Sequence, residues 1–114
     1  MITSYVNPQQ SLLYLALLGP LDEYSANDLV NEYYERQTPV LRHCILDLSG
    51  AESADGSGLN VLHRISILTQ VDNIEFSVVA RGSPVAAEIA DSAERFWVTV
   101  VDNAQVPFVP RRAS

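Results

Sequence analysis

Two short segments, ILDLSG at residues 45–50 and ADGSGL at residues 54–59, decide the fold of this chain. The first is an apolar run with almost no alternation, which predicts a strand at His43–Leu48 in a sheet covered by helices. The second combines Gly, Asp and Ser, which are typical of a tight turn and of a helix N-terminus. Together they predict a buried strand, a polar turn and a helix with Ser57 in its first turn.

The predicted position makes Ser57 a candidate phosphorylation switch on a small binding module. A helix N-terminus carries unpaired N–H groups and a partial positive charge, so an added phosphate is accommodated there. Either Asp55 or Ser57 is suited to the N-cap position, and Gly56 and Gly58 would permit a tight turn, including a positive φ. An ordinary capped helix is the alternative, because this short motif is compatible with both.

The helix after Ser57 has two distinct faces. One face is apolar and is predicted to join the core, with Val61, Leu62, Ile65 and Leu68. A second flank, at i, i+3 and i+4 spacing, mixes polar and aliphatic side chains: Asn60, His63, Arg64, Ile67 and Val71. A small apolar patch with a polar rim is typical of a contact surface. The alternative is that Val71 packs under the sheet and that Ile67 is an isolated exposed aliphatic residue.

The remaining patterns predict a single α/β domain with the order ββαβαβαβ. Strands are predicted at residues 2–6, 12–18, 43–48, 74–79 and 97–101, the first two as an antiparallel hairpin around a turn at residues 7–10. The first helix is predicted to open at Ser25, with Asp28 completing a capping box, and to end at Thr38-Pro39. Its apolar stripe is predicted to comprise Leu29, Val30, Tyr33 and Tyr34. This order implies a mixed sheet with right-handed crossovers.

Serine and proline positions predict the start of the last helix and the character of the C-terminus. Ser83 is predicted to cap a helix that has Pro84 at its first position. The domain is expected to span residues 1–102. Residues 103–114 are expected to form a short tail containing Pro107 and Pro110, without a long helix.

Composition narrows the possible functions. The 114 residues suit one domain, and fourteen acids against seven Arg and no Lys give a net charge of -7. That charge argues against nucleic acid and against an anionic membrane surface as partners. No window approaches the ~20 apolar residues of a spanning helix, and no basic and apolar leader is expected at the N-terminus. The single Cys44, predicted to be a small buried residue of a strand, excludes a disulfide framework, so we expect a cytoplasmic protein.

The segments at 45–50 and 54–62 resemble the signature of the STAS domain. More narrowly, they resemble bacterial anti-sigma factor antagonists, in which a hydrophobic strand precedes Asp-Ser-Ser/Thr-Gly-Leu. The segment Gly19-Pro20-Leu21-Asp22 also matches the Gly-x-Leu/Ile-Asp segment of that family. The resemblance covers about residues 1–102 and agrees with the predicted element order.

The resemblance implies a function and a set of partners. Ser57 would be phosphorylated by an anti-sigma factor that is itself a serine kinase and that holds ATP and magnesium. Unphosphorylated, the module would bind this kinase and free the sigma factor; a phosphatase would reset it. Asp22 and Asp55 would be acidic neighbours of Ser57 that help engage the kinase. The docking face would comprise Gly56, Gly58, Asn60, His63, Arg64 and Ile67, and no cofactor of the chain's own is implied.

Two departures leave a second interpretation open. Gly56 stands where the family usually has Ser or Thr, and the usual terminal helix is replaced by the Pro-containing tail. STAS domains also serve as stressosome scaffolds and as accessory subunits of lipid transport. A scaffold or accessory module that is never phosphorylated is therefore the alternative.

Enzymatic roles for Ser57 are disfavoured by the pattern around it. A hydrolase elbow requires Gly-x-Ser-x-Gly, whereas Asp55 and Leu59 occupy the glycine positions. Neither His43 nor His63 is placed to act as a base for Ser57. A receiver-type phosphoacceptor site would need a lysine, and the two His and one Cys lack metal-ligand spacing. We expect a protein that is not an enzyme and holds no metal.

Overall fold

The computed structural model describes residues 1–101. Five strands form one sheet: β1 (Ile2–Asn7), β2 (Leu12–Leu21), β3 (His43–Ala54), β4 (Glu75–Val79) and β5 (Thr99–Val101). The helices are α1 (Glu23–Arg36), α2 (Gly56–Leu59), α3 (Val61–Val71) and α4 (Ala86–Arg95). The predicted element order is confirmed, with the one-turn α2 as an addition.

The sheet is mixed, as predicted. Its strand order is β1-β2-β3-β4-β5. β1 pairs antiparallel with β2, whereas the pairs β2–β3, β3–β4 and β4–β5 are parallel. Each parallel pair is joined through helical structure, so the carboxyl ends of β2, β3 and β4 meet at one edge of the sheet.

The main core lies between one face of the sheet and the helices. Alternate residues of β2 and β3 reach it, and α1, α3 and α4 contribute Leu29, Tyr33, Leu62, Ile65 and Ile89 from the other side. A smaller buried cluster of Leu12, Ile45 and Val79 comes from the intervening strand positions and therefore lies on the opposite face. Both faces of β2 and β3 thus bury apolar residues, which explains why their sequences show almost no alternation.

Asp47 is a buried acid in the middle of β3. Its carboxylate accepts hydrogen bonds from the Tyr14 hydroxyl and from the Ser49 backbone N–H, the latter at 2.9 Å. Burial raises the pKa of Tyr14, and the bond to Asp47 raises it further. The buried carboxylate is therefore accounted for by hydrogen bonding within the sheet.

Helix α1 begins earlier than predicted. Asp22, rather than Ser25, is the N-cap: its carboxylate accepts from the Ser25 N–H at 2.9 Å, and the Ser25 hydroxyl accepts from the Asp22 N–H at 3.0 Å. This is a capping box displaced by three residues, with Ser in the role usually taken by Glu. The helix ends at Arg36, ahead of Pro39, and Tyr34 is exposed although its predicted role was in the apolar stripe.

Three further boundaries differ from the prediction. Ser83 is not the N-cap of α4, because the helix starts only at Ala86, beyond Pro84. Its hydroxyl accepts from the Val85 N–H at 3.1 Å and donates to the Ala51 carbonyl at 2.7 Å. β4 begins at Glu75 rather than at residue 74. β5 begins at Thr99 because Trp97 has a left-handed backbone, with φ of 61°, that cannot continue a strand. The predicted C-terminal tail at 103–114 lies outside the described residues.

Candidate functional site

β3 extends six residues beyond its predicted end at Leu48 and carries the chain to the candidate site. Its pairing with β2 shifts register twice, between Ala16 and Leu18 and between Gly19 and Pro20. After these irregularities Ala54 pairs with Leu21. Asp22 and Asp55 consequently occupy equivalent positions, each one residue beyond the end of its strand.

These two aspartates each start a helix. The Asp55 carboxylate accepts from the Gly58 N–H at 2.7 Å, as the Asp22 carboxylate accepts from that of Ser25. The alternative between Asp55 and Ser57 as N-cap is thus resolved in favour of Asp55. The bond from the Ser25 backbone lowers the pKa of Asp22, so this carboxyl is ionised at neutral pH.

The two helix starts are in direct contact. The Asp55 N–H donates to the Leu21 carbonyl at 3.2 Å. A Cβ built on Gly58 would lie 2.0 Å from that same oxygen and 2.8 Å from the Asp22 nitrogen. Glycine at 58 is therefore required by the close approach of the backbones rather than by a positive φ.

Gly56 has no such requirement. A Cβ at this position would meet no atom within 4 Å, and its φ is not positive. The two glycines were predicted to permit a tight turn with a positive φ; neither has a positive φ, and only Gly58 is required by its surroundings. At position 56, the Cβ of the serine or threonine usual at this place in the resembling family would therefore meet open space.

Ser57 is the second residue of α2 and is exposed. Within the described part of the chain its hydroxyl makes no hydrogen bond, since the cap is supplied by Asp55. The helix after Ser57 is shorter than predicted, because α2 has four residues and α3 starts only after Asn60. A dipole from one turn favours an added anion less than a long helix would.

The predicted docking flank of α3 is only partly available. His63 stacks on Phe96, with ring centroids 4.6 Å apart and planes 4° apart. The Arg64 Nη1 donates to Asn27 Oδ1 on α1 at 2.8 Å, so its guanidinium helps to join the two helices. Ile67 and Val71 are 48% and 79% exposed, which excludes the alternative that Val71 packs under the sheet.

The structure adds residues near the site that sequence reasoning left out. Tyr24, 79% exposed, lies in the first turn of α1 beside Asp22. Trp97, 92% exposed, follows the Phe96 ring that covers His63. Trp97 could have been singled out from the sequence, since it is the only tryptophan of the chain. It was instead assigned to the strand predicted at residues 97–101.

An open groove with several acidic residues in its lining borders Asp22. It is lined by Tyr24, Asp28, Glu32 and Glu35 of α1 and by Ile2 and Leu17 of the β1–β2 hairpin. Glu32 accepts from Ser4 and Arg36, whereas Asp28 and Glu35 have no ion pair within the described residues. The groove therefore presents negative charge beside the candidate site.

No helix among the described residues is long and apolar enough to cross a membrane.

Solved structures of known proteins share this fold. A variant of RsbS from Moorella thermoacetica is similar with a TM-score of 0.66 and 17% identity, over 91% of this chain and 88% of that one. The anti-sigma factor antagonist SpoIIAA in its unphosphorylated form is similar with a TM-score of 0.62 and 11% identity, over 90% and 89%. The murine solute carrier 26 family member A9 anion transporter, in its inward-facing state, is similar with a TM-score of 0.60 and 17% identity. The similarity covers 79% of this chain and 18% of that one.

Sequence comparison assigns the family. No curated protein matches the sequence. The STAS domain family matches residues 5–105, which include both aspartate caps, Ser57 and every described helix. The chain therefore belongs to the STAS domain family.

Proposed function

We propose that this protein is an anti-sigma factor antagonist switched by phosphorylation of Ser57. Unphosphorylated, it binds an anti-sigma factor with serine kinase activity and so releases the sigma factor. The kinase ends this binding by modifying Ser57, and a phosphatase restores it. The observation that carries the proposal is the exposed Ser57 hydroxyl, which no described group binds, between two aspartates committed to capping.

The chain supplies only the acceptor for this reaction. The Ser57 oxygen forms a new bond to the γ-phosphorus of ATP, the bond between that phosphorus and the ADP oxygen breaks, and the hydroxyl proton passes to a base of the kinase. ATP and magnesium would be held by the kinase. Because Asp55 rather than Ser57 caps α2, transfer to Ser57 breaks no hydrogen bond described in the fold.

The switch follows from electrostatics at the surface. Phosphorylation adds about -1.5 to -2 charge beside Asp55 and near Asp22, while the one-turn α2 stabilises it only weakly. The fold accepts the group because Ser57 is exposed. A partner that covers it must leave a charge unpaired at the interface, which costs about 2–5 kcal/mol. Binding should therefore weaken by roughly thirtyfold to several thousandfold.

The acidic groove supports a protein partner with a basic surface. Asp22, Asp28 and Glu35 lie along one border of the site, and the whole chain carries -7. Complementary charge accelerates association and is screened by salt. Association with the kinase should accordingly slow as ionic strength rises.

Incubation with a candidate kinase, ATP and Mg²⁺, followed by intact-mass and fragment analysis, tests the proposal. We expect one added phosphate, on Ser57, and none in Ser57→Ala, which stays folded and remains bound to the kinase. Ser53→Ala, at an exposed position of the neighbouring strand end, is the matched control and should be modified like the wild type. Phosphate on the Ser57→Ala protein would place the acceptor elsewhere.

A scaffold or accessory STAS module is the second candidate function. The likeness to part of an anion transporter favours it, because that fold occurs within a much longer chain. This function requires the same fold and docking flank but no phosphate. A stable complex with a partner that lacks kinase activity, together with an unmodified Ser57, would support it over the switch.

A further inference from the structure

The end of α4 contains an unusual residue at a position of defined geometry. The Val98 N–H donates to the Ala93 carbonyl at 2.8 Å and the Trp97 N–H to the Glu94 carbonyl at 3.2 Å. These two bonds form a Schellman motif, whose first residue beyond the cap adopts a left-handed backbone. Glycine or asparagine is usual there, whereas this chain has Trp97 with φ of 61°. A bulky side chain in this conformation is an outlier.

α3 ends in the same motif and provides an internal comparison. The Ile74 N–H donates to the Thr69 carbonyl at 2.7 Å and the Asn73 N–H to that of Gln70 at 3.2 Å. The left-handed residue here is Asn73, with φ of 59°. At one helix end the chain thus uses a residue suited to the backbone, and at the other it uses tryptophan.

The fold does not account for the Trp97 side chain. It is 92% exposed, so it adds almost nothing to the core, and its backbone conformation is unfavourable. Strain and exposure of this kind at one position are typical of a residue retained for contact with another molecule.

Trp97 belongs to a surface that continues from the Ser57 site. The adjacent Phe96 stacks on His63, one turn along α3 from Asn60. Trp97 also lines a small cavity with Ser66, Gln70 and Ile74, beside the last turns of α3. We define the α3–α4 patch as the aromatic and aliphatic side chains on this flank: His63, Ile67, Val71, Phe96 and Trp97.

We propose that Trp97 anchors the protein that covers Ser57, by inserting its indole into an apolar pocket of that partner. This inference rests on the proposed function and specifies its docking face. A buried tryptophan contributes roughly 150–250 Å². A standard interface needs about 800 Å² per partner, so this one side chain would supply roughly a fifth to a third of it. Tryptophan is also among the residues enriched at energetic centres of interfaces.

The first experiment requires no partner. Trp97→Asn and Trp97→Gly place at the end of α4 the residues that its backbone favours. We expect the Tm to stay unchanged or to rise by up to about 5 °C, because backbone strain is relieved. A fall of more than about 5 °C in both variants would show that the indole supports the fold, and would overturn the inference.

The second experiment measures binding to the candidate kinase of the phosphorylation test, with ADP and Mg²⁺ present so that no phosphate is transferred. We expect Trp97→Asn to bind at least tenfold more weakly and Asn73→Gly, the matched control in the other motif, to bind like the wild type. Emission from the sole tryptophan of the chain should shift to shorter wavelength in the wild-type complex. Equal affinity of Trp97→Asn and wild type would refute the anchor.

The outcomes separate this inference from the proposed function. Normal phosphorylation of Ser57 with unchanged affinity of Trp97→Asn removes the anchor and leaves the switch. Loss of binding in Trp97→Asn, with no phosphate ever found on the wild-type Ser57, supports the anchor and removes the switch. A wild-type protein that neither binds such kinases nor accepts phosphate overturns both.

Discussion

Gly58 lies so close to the Leu21 carbonyl that the two helix starts of the site form one unit. A Cβ at Gly58 would be 2.0 Å from the Leu21 oxygen, an oxygen that also accepts from the Asp55 N–H. The backbone at the end of β2 therefore restricts the residue type allowed one position after Ser57. Glycine in the Asp-x-Ser-Gly-Leu motif has a packing cause as well as any functional one.

Gly58→Ala should destabilise the protein, since the methyl group must displace backbone atoms of Leu21. We expect a loss of about 1–3 kcal/mol or more in the free energy of unfolding, measured as a lower urea midpoint. Gly56→Ala, two residues away in open space, is the control and should lie within about 0.5 kcal/mol of wild type. Equal stability of the two variants would contradict the close approach.

The variant Asp55→Asn distinguishes the helix-capping role of Asp55 from its proposed contact with the kinase. Asparagine caps a helix about as well as aspartate, so stability should change little, whereas Asp55→Ala should lose about 1 kcal/mol. If the carboxylate also engages the kinase, Asp55→Asn should be phosphorylated more slowly despite its intact fold. Thermal unfolding and initial phosphorylation rates provide the two measurements; normal rates in Asp55→Asn would confine Asp55 to capping.

Tyr33 should make the protein sensitive to alkaline pH. Burial raises the pKa of its hydroxyl above the ordinary value, and donation to Asp72 at 2.7 Å raises it further. The folded state thus holds this proton more tightly than the unfolded state does. The resulting stabilisation is complete below about pH 10 and is lost as the pH rises above it.

The variant Tyr33→Phe tests this pH dependence. It removes the titrating group and keeps the buried ring, so its unfolding free energy should fall less steeply than that of wild type between about pH 10 and 11. Denaturant titrations at several pH values measure the slopes. Parallel slopes for the two proteins would contradict the assignment.

Cys44 should react only after the protein opens. The thiol is fully buried in β3, and burial raises its pKa to about 12, so thiolate is scarce at pH 8. A disulfide exchange reagent should label the native protein slowly and the denatured protein at once, with one thiol per chain. Rapid labelling of the native state would mean that the centre of the sheet opens readily.

The sheet could be predicted from the sequence because its signals are local. Unbroken apolar runs in β2 and β3, the Asn-Pro turn between β1 and β2, and helical spacing in α3 each appear within a few residues. The aspartate, serine and glycine around Ser57 likewise form a short motif, so the turn from a strand into a helix could be predicted there.

What could not be predicted depends on contacts between distant segments. β3 continues to Ala54 because β2 pairs with it there, although Ser49, Gly50 and Ser53 are typical of a turn. Ser83 donates its hydroxyl hydrogen to the Ala51 carbonyl, a contact across 32 residues that no local pattern indicates. The left-handed Trp97 violates the local preference of its residue type, and sequence patterns therefore placed it in a strand.

Because the pairing of β2 with β3 is irregular, the number of residues from Asp47 to Asp55 determines where Asp55 lies relative to Asp22. Between the pairs Ala16–Asp47 and Leu21–Ala54, β3 uses two residues more than β2. Deleting a single residue from this span would shift Asp55 out of step with Asp22 and reverse the facing of the intervening side chains. The length of this span thus determines the position of Ser57 at the surface. A graft of this loop onto another scaffold would have to keep that length.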